Sequence, residues 1–107
     1  MKRKSKPTTV IEVRLVYDAS GTHLQGYVEA CYADIRKILG NPNSEGDGYK
    51  VTTEWCIELK EPSGTRTVAT IYDWKEGGLR CRRGEYNWHI GGFSPRAVEL
   101  VQQLLAA

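Results

Sequence analysis

Between Tyr49 and Trp74 the chain reads YKVTTEWCIELKEPSGTRTVATIYDW, a stretch compatible with few folds. Tyr49, Val51, Thr53, Trp55, Ile57 and Leu59 alternate with Lys50, Thr52, Glu54, Cys56, Glu58 and Lys60. A period of two sustained over twelve residues describes a strand with one buried face. The second half, Arg66 to Trp74, is rich in Thr, Val, Ile, Tyr and Trp, which suit strands. Glu61-Pro62-Ser63-Gly64 between them supplies turn chemistry, so the stretch is a β-hairpin. A turn of two or four residues sets Val51 opposite Trp74, Thr53 opposite Tyr72, Trp55 opposite Thr70 and Ile57 opposite Val68. A slip by one residue would oppose Ala69, Ile71 and Asp73 instead and turn Trp74 to water. The apolar pattern favours the first register.

The flanking segments complete an antiparallel sheet. Val10 to Tyr17 alternates and is closed by Asp18, Ser20 and Gly21, which predicts a strand. Residues 23–31 are ambiguous. Thr22 and Gln25 fit a capping box that would start a helix at His23. The alternation of Leu24, Gly26, Val28 and Ala30 argues for a strand instead, with a helix beginning near Tyr32, and we take the strand. Ile35, Ile38 and Leu39 form an apolar stripe that Gly40 and Pro42 end. Tyr86, Trp88 and Ile90 share a strand face that Gly91-Gly92 closes. Ser94-Pro95 then opens a last helix burying Ala97, Leu100, Val101 and Leu104. The expected order is β-β-α-β-β-β-α, an α+β fold with an antiparallel sheet of about five strands and two helices on one face.

A chain of 107 residues has room for one core, so residues 9–107 are expected to form a single domain behind a disordered basic tail, 1–8. No apolar run approaches a membrane span, and the first residues lack the hydrophobic segment of a signal peptide. The expectation is a cytoplasmic protein with no membrane partner. Cys31, Cys56 and Cys81 are widely spaced, without a CxxC pair or a Cys/His cluster, so they are expected to be reduced thiols, with no metal and no cofactor. The net charge of +2 is unevenly spread: the tail carries +4, the 75–84 loop +3, and the remainder is acidic. Basic appendages on an acidic body favour phosphates or acidic protein surfaces.

The blocks KVTTEWCIEL, ATIYDWK and WHIGGFSPRAVELV together resemble those of small proteins encoded by tailed bacteriophages, over residues 27 to about 104. The likeness implies a viral origin and supplies no catalytic residue, since that group has no assigned activity.

Four constellations are candidates for function. Glu54, Asp73 and Thr52 share the polar face of the expected hairpin, and His89 has the parity to join them. A carboxylate beside a histidine suits acid–base work or half a metal site, but exposed strand faces are usually polar anyway. Trp55, Trp74, Trp88, Tyr72 and Tyr86 form either a stacking platform for bases or a core under the helices, and their shared face favours the core. Lys75, Arg80, Arg82 and Arg83 sit on a glycine-flanked loop suited to gripping phosphates or carboxylates. The same loop serves equally well as a solvated connector. Gly91-Gly92 before the last helix is either an anion nest or a close-packed strand end, and the latter is favoured.

The function expected from these readings is that of a non-enzymatic phage protein. It would bind a host protein or protein–nucleic acid complex stoichiometrically, as inhibitors of bacterial defence such as anti-CRISPR proteins do. The alternative is a nucleic-acid or nucleotide binder using Lys75, Arg80, Arg82 and Arg83. A hydrolase built on His89, Asp73 and Glu54 is the weakest reading, for no HExxH, GxSxG or P-loop motif accompanies them.

Overall fold

The computed structural model describes residues 10, 12–46, 50–75 and 83–106. The basic tail and loop residues Arg80 and Arg82 lie outside them. The order is β1 (Glu12–Leu15), β2 (His23–Cys31), α1 (Tyr32–Leu39), β3 (Glu54–Lys60), β4 (Arg66–Tyr72), β5 (Glu85–Gly92) and α2 (Arg96–Ala106). This is the expected α+β fold, with residues 23–31 a strand. The five strands pair antiparallel in the order β1-β3-β4-β5-β2. Among the described residues no helix is long and apolar enough to cross a membrane.

Both helices pack on one face of the sheet. Trp55, Ile57 and Leu59 of β3, Ala69 and Ile71 of β4, Trp88 and Ile90 of β5 and Val28 of β2 meet Ile35 of α1 and Ala97, Leu100 and Val101 of α2. The two tryptophans meet edge to face at 5.5 Å, and Tyr32 packs against both. Each buried indole N–H finds a carbonyl, Trp55 that of Gly40 and Trp88 that of Ala30, at 2.9 and 3.0 Å. Truncating a core residue of this size costs about 3–5 kcal/mol. A surface ion pair such as Arg14–Glu58 contributes about 0–1 kcal/mol. The indoles, not the charges, dominate the stability of this layer.

The hairpin register differs from the expected one by a single residue. Lys60 pairs with Arg66, so the connection spans five residues, and Trp55 faces Ile71 while Ile57 faces Ala69. The second arm therefore turns Ala69 and Ile71 inward and Tyr72 outward. Asp73, expected on the polar face, is fully buried. Its carboxylate accepts the Thr52 and Thr53 amides at 2.8 and 3.0 Å and the Thr52 hydroxyl at 2.6 Å. Three donors compensate the burial of one carboxylate, so this arrangement prevails over the burial of Trp74 that the apolar pattern suggested.

Two further boundaries shift. A one-residue irregularity between Leu24 and Gly26 flips Leu24 to the outer face while Gly26 and Val28 stay inside. Strand β5 runs through Gly91 and Gly92 rather than stopping before them, and each glycine faces a close neighbour. A Cβ on Gly92 would lie 2.6 Å from the Ala97 Cβ of α2, and one on Gly91 would overlap the Thr70 hydroxyl. The dipeptide is a close-packed strand end. Just beyond it, at the start of β4, Arg96 joins Glu61 at 2.6 Å and Glu99 at 2.6 Å, tying α2 to the hairpin turn. The bonds to Glu61, then those to Glu99, raise the pKa of the guanidinium further.

Replacing Asp73 with Ala should lower stability by about 2–4 kcal/mol, since Thr52 and Thr53 amides lose their acceptor. Chemical denaturation checks this, and an unchanged midpoint would show that the carboxylate does not hold the register. Gly92→Ala should cost about 1–3 kcal/mol through overlap with Ala97. Adding Ala97→Gly should cost less than the two single losses combined, and a double-mutant cycle without that coupling would place α2 farther from the sheet.

Candidate functional site

The face of the sheet turned away from the helices carries a straight cross-strand row. Glu54 pairs with Tyr72, Tyr72 with His89, and His89 with Tyr27, so four neighbouring strands each contribute one side chain. His89 is the hub of the rings, with Tyr27 at 4.9 Å edge-on, Tyr72 at 5.3 Å and Trp74 at 5.9 Å. Tyr27 and Trp74 are 46% and 38% exposed, so both rings present surface to solvent. Below this row, Cys56, Thr70 and Gly91 are buried.

Local chain geometry fixes the Trp74 end. The Trp74 amide donates to the Tyr86 hydroxyl at 3.1 Å, and the Lys75 amide donates to the Lys50 carbonyl at 2.6 Å. Lys75 adopts a left-handed backbone, φ 60°, which a non-glycine residue takes at a cost of about 1 kcal/mol or more. Both ammonium groups lie over the Trp74 ring, each 5.9 Å from its centroid. At the β3 end of the row, Glu54 accepts from the Ser44 hydroxyl at 2.9 Å. Pro42, Asn43, Ser44, Glu45, Thr52 and Thr53 line a depression of about 420 Å³ there.

Burial, then the charge of Glu54, then Tyr27 push the Tyr72 phenol above its ordinary pKa. Burial and neighbouring Glu54 push the Cys56 thiol to about 11. Neither group is poised as a base or nucleophile near neutrality.

The residues singled out from the sequence fall into three groups. Glu54 and His89 do share the outer face, but Tyr72 stands between them, and Asp73 points into the opposite layer. The acid–base trio is therefore not assembled. Trp55 and Trp88 are core and Tyr86 packs partly against it, as expected, whereas Tyr72 and Trp74 belong to the outer row. Of the basic loop, Lys75 is at the Trp74 ring and Arg83 is exposed before β5. Tyr27 and Lys50 were not singled out, and the available signal was their parity, opposite His89 and beside Trp74. Among the described residues no three His, Cys, Asp or Glu groups gather to hold a metal.

No protein-family model, curated protein or solved structure matches the chain at a significant level.

In the native protein at pH 8, Cys56 should resist alkylation by iodoacetamide, because a thiol with a pKa of about 11 is about one part in a thousand thiolate there and is also buried. Peptide mass spectrometry after timed labelling checks this. Modification of Cys56 at the rate of an unfolded control would show that this part of the face opens readily.

Proposed function

We propose that the chain is a small binding protein that acts by stoichiometric occupation of a host macromolecule, and that the outer ring row is its contact surface. The ATIYDWK and WHIGG blocks support a phage origin, and inhibitors of bacterial defence, anti-CRISPR proteins among them, are the class such a protein fits. The observation that carries the reading is the row of Tyr27, His89, Tyr72 and Trp74. It offers rigid aromatic area of the kind that anchors interfaces. A hydrolase on His89, Asp73 and Glu54 loses its support, since these groups lie on two faces of the sheet.

The second reading, a nucleic-acid or nucleotide binder, draws on Lys75, Arg80, Arg82 and Arg83. It is favoured by one placement: Lys50 and Lys75 sit over an indole, available to a phosphate-bearing ligand.

The test is retention from host lysate on immobilised protein, with and without nuclease, comparing the parent chain with a Tyr27→Ala/Trp74→Ala variant. The parent should retain one macromolecule in near-equimolar amount and the variant, folded by circular dichroism, should lose it. Equal retention by both moves the contact surface elsewhere, and no retention by the parent rejects the reading.

A further inference from the structure

The cations of the described chain are divided in a way that bears on the ligand. On the outer face below the ring row, positive charge is neutralised by carboxylates. Arg14 and Arg66 share Glu58 at 2.9 and 3.2 Å, and Lys60 faces Glu12 at 3.9 Å. Arg96, at the hairpin turn, is held between Glu61 and Glu99. Around Trp74 the pattern changes. Lys50 and Lys75 rest on the indole, and among the described residues neither enters an ion pair. Arg36 and Lys37 of α1 also stand outside these ion pairs, but on the helical side, so of the described cations Lys50 and Lys75 are the ones set against an exposed ring.

We propose, building on the outer row as the contact surface, that its ligand is single-stranded nucleic acid. Bases lie against Trp74 and Tyr27, and phosphates meet Lys50 and Lys75. A flat antiparallel sheet presenting rings from adjacent strands stacks two or three unpaired bases, because every base offers a π face and the rings are already held in place. Here Tyr27 and Trp74 flank His89 at 4.9 and 5.9 Å, so two stacking positions lie on either side of one hub. The lysines add the electrostatic component that such ligands require, and their present perch on the indole gives way when a base takes that ring. A duplex has its bases already stacked and cannot use the rings, so strandedness is the discriminating property. The one carboxylate in the row, Glu54, is engaged with the Ser44 hydroxyl. A protein partner could use the same rings and lysines, but it would not be displaced by a single strand in preference to a duplex.

The experiment titrates the full chain into a fluorescein-labelled oligothymidylate of about 16 nucleotides, an upper site size for a small fold. Anisotropy and quenching of tryptophan fluorescence are followed at several salt concentrations. The single strand should bind and quench, and a duplex of equal length should bind at least tenfold more weakly. Tyr27→Ala/Trp74→Ala should weaken single-strand binding at least tenfold, while Lys50→Gln/Lys75→Gln should lower the slope of affinity against salt. No binding at low salt, equal binding of duplex, or full affinity in both double variants overturns the proposal. If the oligonucleotide fails while nuclease-treated lysate still yields a partner that depends on Tyr27 and Trp74, the surface stands and its ligand is a protein. Failure of both arms removes the surface as well.

Discussion

A carboxylate taken wholly out of water is among the costliest choices a small domain can make, and Asp73 is fully buried. It persists because the start of the facing strand delivers two amides and a hydroxyl to it. That bargain sets which residues of the second hairpin arm face inward. With Asp73 inside, Ile71 and Ala69 follow it inward beneath the helices, and Tyr72 and Trp74 are committed to the other side. Strand β5 then sets His89 beside Tyr72, and β2 sets Tyr27 beside His89. The ring row is thus a downstream result of one acid finding its donors.

The two faces are stabilised by different means. Inside, large apolar groups leave water altogether, and the only polar atoms of Trp55 and Trp88 are satisfied by carbonyls. Outside, ring contacts of about 0.5–1.5 kcal/mol each hold side chains that remain partly wet. Stability alone would be served better by smaller polar residues there, for exposed aromatic area invites association. Its concentration in one row, next to lysines that no carboxylate neutralises among the described residues, gives that row the character of a recognition surface.

Much of the architecture was legible because periodicity is strict where one parity is wholly apolar. Trp55, Ile57 and Leu59 alternate with charged residues and Cys56, and Trp88 and Ile90 with Asn87 and His89, so their faces were readable. In the second arm both parities carry apolar residues, Val68, Tyr72 and Trp74 on one and Ala69 and Ile71 on the other. Side-chain bulk then pointed the wrong way, and only the partners of Asp73, adjacent in space but twenty residues distant, decide the matter. The candidate surface was half legible for the same reason. His89 was rightly placed outward, whereas Tyr72 and Trp74 were assigned to the core. Tyr27 lacked a partner until the β2–β5 pairing was known.

At Gly91 and Gly92 the sheet has no side chain on either surface. Helix α2 rests on bare backbone from one direction, while Thr70 and Tyr72 close over it from the other. At most other core positions a side chain separates the helices from the sheet backbone. Here there is only the thickness of a peptide, and close-packed interiors transmit strain. The two glycines therefore act as a rigid spacer: repositioning α2 at this point and leaving Tyr72 where it stands are not independent choices. Any redesign of the helical layer has to treat the ring surface as part of the same mechanical unit.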